Sequence, residues 1–160
     1  MQIRGISSRR SLVLCGVLCA GFVLAGSAVA GPTLPDGARY YKDLGSSAAI
    51  TVQVGGKGVS VTLSAVPIKC TKYVPPQGNK SYVEIGLSGS QRPRVGKAYL
   101  LKKSETQRGE EGEGTSSSIT EVTLDFKSAK QMQVSIHQVT STDGEPGCDG
   151  SATYTVKRQS

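Results

Sequence analysis

The single histidine, His137, is the residue best suited to acid–base chemistry, and Ser135 lies two positions before it. On a β-strand both side chains would fall on the same face, where a serine and a histidine could act as nucleophile and base. Such a pair also needs an orienting acid and an oxyanion-binding group, and the sequence identifies neither. We therefore predict no catalytic residues and interpret His137 as a surface histidine. A secreted enzyme that depends on His137 remains an alternative.

The residue types also give little support to metal or phosphate chemistry. Zinc and copper sites use several histidine or cysteine ligands at close spacing, whereas this chain offers His137, Met132 and two cysteines expected to be oxidised together. Four glutamates between positions 105 and 113 lack the spacing of a calcium loop. The glycine-rich run 55–58 joins two predicted strands, which favours a hairpin turn over a phosphate-binding loop. No metal or cofactor is predicted.

A cluster of basic residues points most directly to binding. Within twelve positions that contain no acidic residue lie Arg92, Arg94, Lys97, Lys102 and Lys103. Such a patch could bind phosphate or sulfate groups on lipids, acidic glycans or nucleic acid. The alternative is a solvated face whose charge is offset by the acidic stretch that follows. Because aromatic residues that could stack on bases are few, no nucleic-acid specificity is expected.

Residues 1–30 have the three parts of a secretory signal peptide. The first ten carry three arginines and no acid, residues 11–26 are almost wholly apolar, and Ala28-Val29-Ala30 matches a small-residue cleavage site. We predict cleavage after Ala30, export to the periplasm or beyond by the general or the twin-arginine route, and no stable membrane span afterwards. An uncleaved anchor over Leu12–Ala30 is the alternative. The segment holds three of the 19 basic and none of the 12 acidic residues, so residues 31–160 carry a formal net charge of +4.

The cysteines predict one disulfide bond. Cys15 and Cys19 belong to the signal segment, which leaves Cys70 and Cys148. An exported chain enters an oxidising compartment, and two cysteines allow only one intramolecular pairing. We therefore expect a Cys70–Cys148 bond.

The elements that would position these residues have the two-residue period of β-strands. The clearest is a hairpin, in which Ala48–Val54 and Val59–Val66 alternate apolar and polar residues around the glycine turn. No stretch has a convincing helical period. Further strands are predicted at Ile68–Tyr73, Ser81–Ser88, Gly96–Lys103, Ile119–Phe126, Met132–Val139 and Ser151–Val156. Seven to eight short strands predict an all-β fold, an antiparallel β-sandwich or small barrel with one disulfide.

The connections between these strands suggest the domain boundaries. Residues 31–47 contain prolines and glycines without alternation and are predicted to form an extended lead-in to a single all-β domain over 48–158. Residues 104–118 have no aliphatic or aromatic side chain and are predicted to form a mobile loop. Thr140–Gly150 is predicted to be a second polar loop.

Two stretches carry a resemblance to a known group of proteins. The glycine-turn hairpin over Ile50–Val66 is followed by Cys70, and the chain ends with Gly147-Cys148-Asp149-Gly150-Ser151-Ala152-Thr153-Tyr154-Thr155-Val156. Together they resemble small exported bacterial β-sandwich domains. The resemblance spans about Ile50–Arg158, and it implies a fold and an exported location without implying an activity.

These observations favour an exported, non-enzymatic β-domain that acts by surface binding to an envelope or extracellular partner, with a polyanion as the candidate partner. A secreted inhibitor or effector is an alternative, and it would present residues 104–118 or 140–147 to another protein. The secreted enzyme is the third possibility.

Overall fold

The structure is a computed structural model that describes residues 31–72, 79–109 and 114–160. These residues form eight strands and no helix, and every strand pairing is antiparallel. In chain order the strands are β1 (Arg39–Gly45), β2 (Ala48–Gly55), β3 (Gly58–Lys72), β4 (Lys80–Gly89), β5 (Ala98–Arg108), β6 (Thr115–Asp125), β7 (Gln131–Thr142) and β8 (Glu145–Arg158). The predicted all-β class is confirmed.

All eight strands belong to one sheet, in the order β4-β3-β2-β1-β8-β7-β6-β5. β3 changes partner along its length: its first half pairs with β2, and from Lys69 onward it pairs with β8. A bulge at Ala65, with a positive φ of 45°, precedes the change. Because β3 and β8 pair although β2 and β1 separate them in the order, the sheet bends back on itself. The choice between a sandwich and a barrel stays a prediction.

One face of the bent sheet builds a single hydrophobic core to which every strand contributes. On β2 the residues Ile50, Val52 and Val54 are buried, as the alternating pattern predicts. Phe126, just after β6, and Tyr40 of β1 are the largest fully buried side chains. Burial of one large apolar side chain contributes about 1.5–3 kcal/mol, so this shared core holds the eight strands together.

The predicted disulfide is also confirmed. Cys70 of β3 and Cys148 of β8 are joined by an S–S bond of 2.01 Å. The bond lies where β3 and β8 pair, since Cys70 is the register partner of Gly150. The two cysteines are 78 positions apart in the sequence, and for a loop of this length the chain-entropy model gives about 4–5 kcal/mol of stabilisation.

Strand β1 differs from the predicted lead-in over residues 31–47. Within that segment Leu34, Ala38 and Tyr40 are buried, and β1 pairs with both β2 and β8. The turn from β1 to β2 is made by Ser46 and Ser47, which both have positive φ angles. Such two-residue turns normally contain Asn, Asp or Gly, so the serines conceal the turn in the sequence.

The two predicted polar loops are shorter in the structure. Within 104–118, β5 continues to Arg108 and β6 begins at Thr115, and backbone pairing extends to the ends of both strands; residues 110–113 lie outside the described part. Within 140–150, β7 and β8 meet at a tight Asp143-Gly144 turn with positive φ at both residues. Backbone hydrogen bonds need no apolar side chain, which explains why a polar sequence can be paired here.

The predicted signal peptide, residues 1–30, lies outside the described residues. For residues 31–72, 79–109 and 114–160, no helix has the length and apolar character needed to cross a membrane.

Candidate polyanion-binding site

The antiparallel order of the strands brings alternate connections of the chain to the same end of the molecule. At one end lie the segments 31–39, 55–58, 89–98, 125–131 and 157–160. These segments carry nine basic residues, all exposed, which we call the basic end: Arg39, Lys57, Arg92, Arg94, Lys97, Lys127, Lys130, Lys157 and Arg158.

Backbone hydrogen bonds hold these segments against one another. The Arg158 N–H donates to the Lys130 carbonyl oxygen at 2.9 Å, and the Gln159 N–H donates to the Arg39 carbonyl oxygen at 2.8 Å. The Phe126 N–H donates to the Lys97 carbonyl oxygen at 3.4 Å. Cations that are distant in the sequence are therefore held on one frame by main-chain contacts.

Three aromatic rings pack beneath the basic end. The Phe126 ring is buried between Tyr40 and Tyr99, with edge-to-face contacts at centroid distances of 5.7 and 6.0 Å. Edge-to-face pairs are stabilising beyond the area they bury. The rings pack the first residues of β1 and β5 against the connection that follows β6.

Both tyrosine hydroxyls bond to the main chain of this end. The Arg94 N–H donates to the Tyr99 hydroxyl at 2.8 Å, and that hydroxyl donates to the Arg92 carbonyl oxygen at 3.5 Å. The Tyr40 hydroxyl donates to the Ala129 carbonyl oxygen at 3.0 Å. Burial raises the pKa of Tyr40 above its usual value, while the positive charge of Arg158 opposes that shift. Through its two hydrogen bonds, the Tyr99 hydroxyl holds the main chain of the segment that carries Arg92 and Arg94.

Few carboxylates offset the charge of the basic end. Asp36 pairs with Arg92 at 3.1 Å and Asp125 pairs with Lys127 at 2.5 Å. The other seven cations make no ion pair with any described residue. The rest of residues 31–160 contains seven basic and ten acidic residues, three of which lie at 110–113. The positive charge is therefore concentrated at one end of the molecule.

The structure divides the five basic residues singled out from the sequence. Arg92, Arg94 and Lys97 belong to the basic end. Lys102 and Lys103 lie farther along β5 with their side chains on opposite faces, and they pair with Glu121 at 2.8 Å and Glu105 at 2.6 Å. The cluster of five does not form one patch.

Sequence reasoning missed six members of the basic end: Arg39, Lys57, Lys127, Lys130, Lys157 and Arg158. Each lies at a strand end or in a short turn, and the sequence distance between them conceals their proximity. One feature of the sequence did indicate their proximity. In an antiparallel meander every second connection between strands lies at the same end of the sheet.

His137 lies on the outer face of β7, as predicted, and it has the acidic partners that the sequence did not reveal. Its Nε2 is 3.0 Å from Asp149 Oδ1, and its Nδ1 is 4.0 Å from Glu121 Oε2. The hydrogen bond from Lys102 lowers the pKa of Glu121. The Ser135 hydroxyl instead bonds to the Thr153 hydroxyl at 3.1 Å. Both ring nitrogens therefore lie near carboxylates, and His137 belongs to a group of polar and charged side chains on the surface.

Within the described residues no group of three or more histidine, cysteine, aspartate or glutamate side chains could hold a metal ion.

Comparison with protein-family models, curated proteins and solved structures finds no match for this chain.

Proposed function

We propose that this chain is an exported, non-enzymatic binding domain whose basic end binds an acidic polymer of the envelope or the extracellular space. The observation that carries the proposal is the concentration of nine exposed cations against two carboxylate side chains at one end. The signal-like residues 1–30 and the Cys70–Cys148 bond support an exported location.

The physical basis is the summed field of the cations. One exposed ion pair contributes at most about 1 kcal/mol, so a single lysine would not hold a partner. Several cations on one rigid frame act on a polymer together and also raise the rate of encounter. Salt screens such contacts over about 8–10 Å, so binding should weaken steeply as ionic strength rises.

The distribution of apolar residues favours a polymer over a lipid bilayer. Peripheral membrane binding combines cations with exposed apolar or aromatic side chains that enter the interface. Among the described residues the exposed large hydrophobic side chains are Tyr82, Leu100, Ile119 and Val139. None of them lies in the segments that form the basic end.

Charge reversal at the basic end tests this function. The triple variant Arg94→Glu, Lys97→Glu and Lys130→Glu replaces three exposed cations that make no ion pair with the described residues. We expect its affinity for fluorescently labelled heparin to fall at least tenfold at low salt, since each contact of about 0.2–1 kcal/mol becomes a repulsion. Fluorescence anisotropy measures the affinity.

The matched control is the triple variant Lys72→Glu, Lys103→Glu and Arg108→Glu, which changes the net charge equally at three exposed positions outside the basic end. Its affinity should fall by a much smaller factor. Equal losses in the two variants would mean that only net charge matters and would contradict the proposal. If the wild type binds anionic vesicles at least as tightly as it binds heparin, the partner would be a membrane surface instead of an acidic polymer.

A further inference from the structure

A second group of cations lies away from the basic end, near the far ends of β3 and β4. Lys69 and Lys80 are direct partners in the β3–β4 register, and Ser151 of β8 is the partner of Lys69 on its other side. All three residues are exposed, whereas Ile68 and Cys70, which flank Lys69, are buried. The row Lys80–Lys69–Ser151 therefore lies on the outer face of the sheet.

The opposed lysines place two positive charges side by side without a counter-charge. Like charges directly across a strand pair are destabilising, and neither lysine makes an ion pair with a described residue. Asp149, two residues before Ser151, is engaged by His137 at 3.0 Å. Glu84, on the same face of β4, lies four residues beyond Lys80. An external anion would relieve the repulsion.

A depression in the surface adjoins the two lysines. It forms where β3 has left β2 and begins to pair with β8, and it has a volume of about 480 Å³. The Tyr154 hydroxyl donates to the Pro67 carbonyl oxygen across it. Its lining residues include Lys69, Lys80, Asn79 and Ser151, and no acidic residue lines it within the part of the chain that the structure describes. This set supplies hydrogen-bond donors and positive charge, which match an oxyanion.

An aromatic ring lies beside the lysines on the same face. Tyr82 is two residues along β4 from Lys80 and is the register partner of Pro67, which also lines the depression. Tyr82 is 65% exposed, the largest value among the exposed large hydrophobic residues described. An exposed aromatic face next to an anion-binding group suits a sugar ring that bears the anion.

We propose that Lys69, Lys80 and Ser151 bind a tetrahedral oxyanion, such as phosphate, and that Tyr82 packs against the sugar that carries it. The site lies far along the strands from the basic end and does not depend on the function proposed above. A free phosphate ion and a phosphorylated saccharide share the anion chemistry, and only the saccharide uses Tyr82.

Calorimetric titration with inorganic phosphate and with glucose 6-phosphate tests the site, and both ligands should bind the wild type. Lys69→Gln should weaken both at least tenfold, the loss expected for one charge-assisted hydrogen bond. It should not lower the melting temperature in the absence of anion, because it removes a repulsion. Tyr82→Ala should weaken glucose 6-phosphate and leave phosphate unchanged.

Lys72→Gln, on the same strand but outside the depression, is the matched control and should bind both ligands as the wild type does. The triple charge reversal at the basic end should also retain phosphate binding, which separates this site from the other. No binding of either ligand, or equal losses in the Lys69 and Lys72 variants, would overturn the proposal. If Tyr82→Ala binds glucose 6-phosphate as tightly as the wild type does, the saccharide part of the proposal would be wrong.

Discussion

At the scale of single residues, Tyr99 connects the hydrophobic core to the candidate site. Its ring packs on buried Phe126, and its hydroxyl bonds to the main chain at both Arg92 and Arg94. The sequence places Tyr99 inside the basic cluster but does not show this role, because the contacts depend on how the β4–β5 connection folds over the start of β5.

Removal of the Tyr99 hydroxyl should loosen the connection that carries Arg92 and Arg94. Tyr99→Phe keeps the ring and removes both main-chain hydrogen bonds, so we expect a loss of about 1 kcal/mol in the free energy of unfolding. Heparin affinity should also fall severalfold although no charge changes. Urea denaturation and anisotropy measure the two effects, with Tyr82→Phe as the control for an exposed tyrosine. Unchanged heparin affinity in a destabilised Tyr99→Phe variant would show that the connection does not position the cations.

At the scale of elements, the sequence predicted what periodicity and glycine turns determine. The β2–β3 hairpin was predicted because apolar residues alternate on both sides of residues 55–58, and the disulfide because only Cys70 and Cys148 lie outside the predicted signal peptide. β1 was missed because its turn uses Ser46 and Ser47 and its residues mix charge with tyrosine. The outer parts of β5 and β6 were missed because backbone pairing without apolar side chains leaves no pattern.

A close approach of the main chain between two strand ends provides a test at this scale. A Cβ added at Gly58, at the start of β3, would lie 1.9 Å from the Gly89 carbonyl oxygen, whereas a Cβ at Gly86 would meet no described atom within 4 Å. Gly58→Ala should therefore lower the free energy of unfolding by about 1–3 kcal/mol. Gly86→Ala should be neutral or slightly stabilising.

Chemical denaturation of the two alanine variants gives the comparison, because the same methyl group is added in both. Similar free energies of unfolding would contradict the close packing of β3 and β4 at this point. A selective loss in Gly58→Ala would support the path of the chain that brings Lys57 to the basic end.

At the scale of the whole molecule, topology creates a property that no single stretch has. The sequence predicted one linear cluster of five cations, and three of these belong to the basic end. The other six members come from four separate stretches of the chain, brought together because alternate connections of an antiparallel sheet fall at the same end. To predict that these residues lie together, one needs the strand order, which the alternation of apolar and polar residues does not specify.

The local concentration of positive charge is larger than the net charge of the chain would indicate. Residues 31–160 carry a net charge of +4, but the basic end alone has seven cations without an ion pair among the described residues. An acidic polymer responds to the local field more than to the sum. The polymer should therefore approach the molecule in a defined orientation.

The most direct test is an NMR titration of the isotope-labelled protein with a short heparin oligosaccharide, with backbone amide shifts followed residue by residue. We predict that the largest changes occur at Arg94, Lys97, Lys130 and Arg158, and that they disappear as salt is added. Amides of Lys72 and Arg108 should change little. Shifts spread evenly over the surface, or concentrated away from the basic end, would contradict the central claim that this end is the binding site.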